Sequence, residues 1–237
     1  MRRALTAFAV MAALSSAAVA GTTIALAPGM SQPEFQQFSE DLGAAFSYRD
    51  PAPNAPRRHH ALSVHVGASE ALISDGGGLA AGTQDSTNHL VLSSLYLNQN
   101  LPFGIEIGGA YTVVPNSNIR LLGAEASYVL FPGNHKWPAL AVRATYSRLA
   151  GVPELNFSTA GLELSISRQF GRITPYAGLG ELSVNSSPRV GNLASTRFIE
   201  HKVFAGIALH LGITTLSLEG DRIGSTDSAT VSLGFRF

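Results

Sequence analysis

The stretch from Ser228 to Phe237, SATVSLGFRF, alternates without a break. Ala229, Val231, Leu233, Phe235 and Phe237 fall on one face; Ser228, Thr230, Ser232, Gly234 and Arg236 fall on the other. Successive side chains of a strand point to opposite sides, so this is a strand with one apolar and one polar face. In a soluble sandwich the apolar face would meet a core. In a membrane barrel it meets lipid, and the polar face turns inward. The run closes on an aromatic residue with no polar tail, an unusual end for a soluble sheet. It is the form of terminal strand that barrel-assembly machinery reads, with Val231, Leu233, Phe235 and Phe237 as the expected signal.

The same period recurs upstream. Leu216 and Leu218 alternate with Ser217, Glu219 and Asp221. Val203, Ala205, Ile207 and Leu209 alternate with Lys202, Gly206 and His210. Similar runs lie at Leu162–Ser167, Leu140–Ser147, Leu122–Tyr128, Ile105–Thr112 and Ala61–Ala71, with weaker ones around Leu90–Leu97 and Thr174–Val184. The expected fold is therefore all-β: an antiparallel transmembrane barrel of about ten strands, within a range of about eight to twelve, with a short N-terminal helix. Counting back from a periplasmic C-terminus predicts tight turns near Leu211-Gly212, Phe170–Arg172, Phe131–Trp137 and Asn98–Phe103. It predicts outside loops at Gly224–Asp227, Ser186–Thr196, Gly151–Asn156, Pro115–Asn118 and Asp75–Asn88. Phe103, Trp137, Phe170, Tyr176 and Phe237 are expected at the inner interface, and Tyr111 and Tyr146 toward the outer one.

The N-terminus sets the compartment. Arg2 and Arg3 precede an uncharged run from Ala4 to Val19 that ends in Ala18-Val19-Ala20, the pattern of a cleaved signal peptide. Residues 1–20 are read as that peptide, 21–58 as a periplasmic leader and 59–237 as the barrel. The export route is expected to be the Sec pathway and the destination the outer membrane. Within the leader, Ser31 can cap a helix, Pro33 suits its first turn, and Phe35, Phe38, Leu42 and Phe46 recur at helical spacing. Such a helix either packs on the barrel end or enters the lumen as a plug. Cysteine is absent, which excludes a disulfide framework and a Cys-based metal site. Charged residues make up 14% of the chain, with 16 basic and 16 acidic side chains. That balance lacks the basic footprint of a nucleic-acid binder.

Charges stand in mid-strand on the polar face. Glu106, Glu125, Arg143, Glu163, Lys202, Glu219 and Arg236 are expected to line the lumen, where buried charges must be paired or hydrated. The histidines are His59, His60, His65, His89, His135, His201 and His210. Only His89, with Asp75 and Asp85 in an outside loop, resembles an acid–base set. There is no G-x-S-x-G nucleophile motif, so the chain is read as a non-enzyme without cofactor or metal. His59 and His60 beside Arg57 and Arg58 are read as a basic segment facing lipid headgroups.

The runs LPFGIEIGGAYTVVPNSNIRLLGAEASYVL (101–130), AVRATYSRLAGVPEL (141–155), GLELSISRQFGRITPYAGLG (161–180) and the ending SLGFRF (232–237) carry a resemblance. They resemble a family of largely uncharacterised proteobacterial outer-membrane β-barrels, small and porin-like. The likeness covers most of the chain from about Pro33; Pro53–Asn88 departs from it. It implies an outer-membrane barrel that meets lipids, lipopolysaccharide and the assembly machinery, and it brings no substrate and no catalytic residues. The expected role is a narrow porin-like channel, passing a possible small solute, or a structural barrel. The alternatives are a carrier of a hydrophobic small molecule with the helix as plug and, further off, an outer-membrane hydrolase.

Overall fold

The computed structural model describes residues 23–26, 29–53, 61–73, 82–83, 89–134 and 136–237. The signal-peptide region, the basic segment Arg57–His60 and most of the Asp75–Asn88 connection lie outside these residues, as do the placements of Asp75, Asp85 and the His89 side chain. One helix, α1 (Gln32–Phe46), precedes ten strands. They are β1 (Leu62–Leu72), β2 (His89–Asn100), β3 (Ile105–Val113), β4 (Arg120–Phe131), β5 (Ala139–Ala150), β6 (Leu155–Ser167), β7 (Ile173–Pro188), β8 (Thr196–Leu211), β9 (Thr214–Ile223) and β10 (Thr226–Arg236). Each strand pairs antiparallel with its sequence neighbour, and β10 returns to β1 to close the barrel.

Closure follows from the opening stretch. Ser63 pairs with Arg236, Val66 with Leu233 and Leu72 with Asp227 along the β1–β10 seam. Every strand therefore has two partners, and no row of unpaired N–H and C=O groups faces an apolar solvent. The outward face is apolar over most of its height. Leu97, Leu122, Leu162, Leu179 and Val203 are each more than half exposed, whereas Ser63, Ser127, Thr145, Thr159, Ser217 and Thr230 are buried. Apolar outside and polar inside is the reverse of a soluble core and the pattern of a membrane barrel.

The connections sort onto two rims. One rim carries Phe237 and the turns β2–β3, β4–β5, β6–β7 and β8–β9; the other carries the five remaining connections. Phe103, Trp137, Phe170 and Phe237 are exposed on the Phe237 rim, as expected, and Tyr111 and Tyr146 face outward. Tyr176 departs from that expectation. It shares parity with Thr174 and points inward, its ring packed beside Gly206 and Phe204. Two connections on the far rim are shorter than their sequences suggest. Gly224 and Ser225 alone join β9 to β10, with Gly224 at φ +56°, and β7 continues through Pro188 before a loop over 189–195.

Helix α1 begins where its sequence says. Ser31 is the N-cap, and the Ser31 and Glu34 side chains each accept a hydrogen bond from the other residue's backbone N–H. These bonds from Ser31 hold the Glu34 carboxyl below its ordinary pKa. The helix is not docked outside the barrel end as a leader. It stands in the lumen at the far rim, with Phe35, Phe38, Leu42 and Phe46 fully buried against Leu90, Leu92, Ile119, Leu155, Phe157 and Val184 from three strands and a connection. A barrel of about ten strands has a lumen wider than its own side chains fill, and the helix occupies the difference.

Candidate functional site

The segment after the helix decides the site. Residues 47–53 descend from α1 toward the Phe237 rim, where β1 begins. Tyr48, Arg49 and Asp50 are buried on the way. Tyr48 lies over Gly123, where a Cβ would come within 2.6 Å of its ring, and meets Tyr96 edge-on at 5.9 Å. An inward glycine on β4 thus makes the space that the tyrosine fills.

Arg49 is the main tether. Its Nε donates to Asp221 Oδ1 at 2.8 Å, and its Nη2 donates to Ser228 Oγ at 2.9 Å. It also donates to the carbonyl oxygens of Ala44 and Ala45, which closes the C-terminus of α1. One guanidinium therefore joins the helix end to β9 and β10. Its planar fork of five donors suits this role better than an ammonium would. Asp50 accepts from Asn98 and lies 3.2 Å from His65 Nδ1. The Asp50 carbonyl accepts from Arg143 Nη1 at 2.9 Å. The Phe46 carbonyl accepts from Ser147 Oγ at 2.6 Å.

Below the plug the wall carries a continuous ionic cluster. Glu163 accepts from Arg143 at 2.6 Å on one oxygen and from Lys202 at 2.7 Å on the other. Arg143 Nη1 lies 3.6 Å from Glu125 Oε2, and Glu125 Oε1 accepts from Asn98 at 3.0 Å. Glu106, Glu125, Arg143, Glu163, Lys202 and Glu219 are all buried inside the barrel. Arg236 lies on the same inward face at the Phe237 rim, half-buried. The luminal set expected from the sequence leaves out the plug's Arg49 and Asp50 and the wall's Asp221, Asn98 and His65, although Asp221 falls on the polar face of its run. The signal available was the adjacent Arg49-Asp50 pair following a helix whose second face is small rather than charged, Gly43-Ala44-Ala45.

At its upper end the plug is fastened to the far rim. Gln32 exchanges two hydrogen bonds with Ala194, at 3.0 and 2.9 Å. Leu26 N–H donates to Glu154, and Ala25 N–H donates to the Gly82 carbonyl. One void beside the plug, between Tyr48, Tyr96 and Thr112, is about 20 Å³, room for one water. His65 belongs to the plug contacts, and His210 lies between Thr174 and Thr215. Among the described residues no group of three His, Asp or Glu side chains could hold a metal ion.

Removing the Arg49 fork tests the tether. Arg49→Met leaves Asp221 buried without its partner and should loosen plug docking by about 3–5 kcal/mol. The double change Arg49→Met with Asp221→Asn should recover most of that loss. Hydrogen exchange of the α1 amides reads both; unchanged protection in the single variant would sink the assignment.

The geometry defines a class: a closed ten-stranded transmembrane β-barrel whose lumen is filled by the chain's own N-terminal segment. No family model and no curated protein matches the chain. Solved structures do. An outer-membrane channel from Pseudomonas putida F1 is 10% identical with a TM-score of 0.48, covering 80% of this chain and 100% of that one. Ail, the attachment invasion locus protein of Yersinia pestis, is 13% identical with a TM-score of 0.33, over 76% and 100% of the two chains. The KdgM porin is 8% identical with a TM-score of 0.38, over 73% and 99%. At these identities the likeness is one of fold.

Proposed function

We propose that this protein is an outer-membrane channel for small polar solutes, held shut by residues 29–53 of its own chain. The observation that carries the reading is the contrast between plug and wall. The wall around residues 46–49 presents Ser69, Ser94, Thr112, Ser147 and Gly123 beside Leu92, Tyr96, Ala110 and Leu121. Small hydroxyls and glycine are a surface that water wets when the plug leaves. A permanently filled barrel gains more from apolar packing than from buried ion pairs, which stabilise little for their desolvation. Opened, the wall carries Glu106, Glu125, Glu163, Glu219 and Asp221 against Arg143, Lys202 and Arg236. That excess of carboxylates favours cations over anions. An apolar solute is the weaker reading, because Phe35, Phe38 and Phe46 are engaged in packing and the void beside Tyr48 has room for a water.

The absence of cysteine permits a direct test. Ser39 Oγ and Ser186 Oγ are 2.9 Å apart, on the helix and on β7. A Ser39→Cys, Ser186→Cys pair should form a disulfide that locks the plug in the lumen. In planar bilayers the oxidised protein should be silent, and reduction should restore discrete openings. A reduced protein that never opens would make the barrel a structural one.

The reading also fixes which side the plug starts on. With the Phe237 rim in the periplasm, α1 begins at the cell surface and the chain runs inward to reach β1. A lone cysteine at Gln36 should react with an impermeant maleimide on intact cells, and one at Gln169 on the opposite rim should react only after permeabilisation. The reverse pattern would overturn the orientation.

A further inference from the structure

We infer that Arg120, Arg148 and Arg189 form a binding site for the phosphate groups of lipid A, the anchor of outer-leaflet lipopolysaccharide. The inference rests on the outer-membrane reading, with the far rim outermost.

Arg120 and Arg148 point outward from neighbouring strands and are exposed. The register pairs Arg120 with Ala150 and Leu122 with Arg148, so the two arginines are diagonal neighbours. Arg189 follows β7, and its backbone N–H donates to the Glu154 carbonyl at 2.8 Å, which brings it over the β5–β6 hairpin. Arg148 and Arg189 line one groove of about 470 Å³ together with Leu122, Pro153 and Asn156. Arg120 reaches its edge, with Cγ 4.0 Å from where a Cβ on Gly151 would lie. No carboxylate lines the groove. The nearest acid by sequence, Glu154, turns its side chain to the Leu26 N–H. Among the described residues none of the three guanidinium groups has a carboxylate partner, whereas Arg49, Arg143 and Arg222 all do.

The position suits a headgroup. The groove sits directly above the apolar belt, where Tyr111 and Tyr146 face outward at interface height. Beneath it Gly109, Ala124, Ala126 and Ala144 occupy adjacent outward positions of β3, β4 and β5. Ile107, Leu122, Tyr128 and Tyr146 frame them, leaving a shallow apolar trough below three cations. A phosphorylated lipid with acyl chains fits both halves: guanidinium groups take phosphate oxygens in paired hydrogen bonds, and the trough takes a chain.

The purified full chain in detergent, titrated with diphosphoryl lipid A and followed by native mass spectrometry, tests the site. Binding should weaken roughly tenfold or more in Arg120→Gln, Arg148→Gln, Arg189→Gln and stay unchanged in Arg172→Gln on the opposite rim. Phosphate-free lipid A and phosphatidylglycerol should bind the wild type and the triple variant alike, and weakly. If the triple variant loses its heat-modifiable gel shift, Arg148→Gln alone carries the comparison. Undiminished lipid A binding in a folded variant overturns the proposal, as does phosphatidylglycerol binding equal to that of lipid A. Membrane fractionation separates the two readings: a protein outside the outer membrane that still binds lipid A through these arginines retains the site and loses the location.

Discussion

Deleting residues 29–53 should turn a silent barrel into a conducting one, with at least roughly tenfold more current than the full chain, since a ten-stranded lumen without its filling is open to water. The plug contributes Phe35, Phe38, Leu42 and Phe46 at the far rim and Tyr48, Arg49 and Asp50 below it, all buried. Their removal exposes Ser69, Ser94, Thr112, Ser147 and Ser228, which hydrate readily, together with the apolar Leu90, Leu92, Phe157 and Val184 at the far rim, and frees Asp221 and His65. The strands do not need the plug to pair, because the β1–β10 seam runs from Ser63 to Leu72 without any plug residue. Closure should therefore survive, read as retained heat-modifiable migration in detergent gels. The current should be carried mainly by cations, measured as a shift in reversal potential across a salt gradient. A deletion variant that folds and stays silent would show that the wall collapses on itself, and the channel reading would fall. Anion selectivity would mean that Arg143, Lys202 and Arg236 rather than the carboxylates face the path.

Much of this was legible in the residues, and what escaped has a physical cause. The barrel was legible because lipid imposes one rule on every strand: apolar out, polar in. β10, β9 and β5 obey it almost residue by residue. The helix was legible from Ser31, Pro33 and the phenylalanine spacing. Its position was not, because a helix with one apolar stripe reads alike on a barrel end or inside a lumen. Yet the clue was present in the strands. In the two runs with the weakest alternation, around Leu90–Leu97 and Thr174–Val184, the inward residues at the far rim are apolar, as are Leu121, Leu149, Phe157 and Ile223 on other strands. Leu90, Leu92, Leu182 and Val184 break the pattern because they meet the plug rather than water. A Cβ on Gly43 would come within 2.5 Å of Val184, so helix and β7 touch through a glycine. Tyr176 was misplaced for a related reason: inside a filled lumen an aromatic ring can face inward, over Gly206, instead of seeking the interface. Glu106, Glu125, Arg143, Glu163, Lys202 and Glu219 are buried inside the barrel, but alternation along strands cannot say which charges pair across the lumen.

Replacing Arg143 should be the most damaging single change in the wall. Its guanidinium bonds Glu163 twice, at 2.8 and 2.6 Å, faces Glu125 and donates to the Asp50 carbonyl of the plug. Three groups, from β4, β6 and the plug, thus converge on one side chain of β5 that is almost wholly buried. Arg143→Met leaves Glu125 and Glu163 with Lys202 as their main remaining countercharge, and breaking a buried pair in this way costs about 3–5 kcal/mol. The midpoint of the heat-modifiable transition should fall accordingly. Arg143→Lys keeps the charge but loses the fork, and should recover only part of the loss. If the cost comes from stranded carboxylates, Arg143→Met with Glu125→Gln and Glu163→Gln should be more stable than Arg143→Met alone, because neutral amides need no cation. If it comes instead from the lost bond to Asp50, the added changes should give no rescue, and the plug amides should exchange faster while the barrel midpoint stays near wild type. An Arg143→Met protein with an unshifted midpoint and a protected plug would mean that water inside the lumen already solvates these charges. The cluster would then be a hydrated lining rather than a brace.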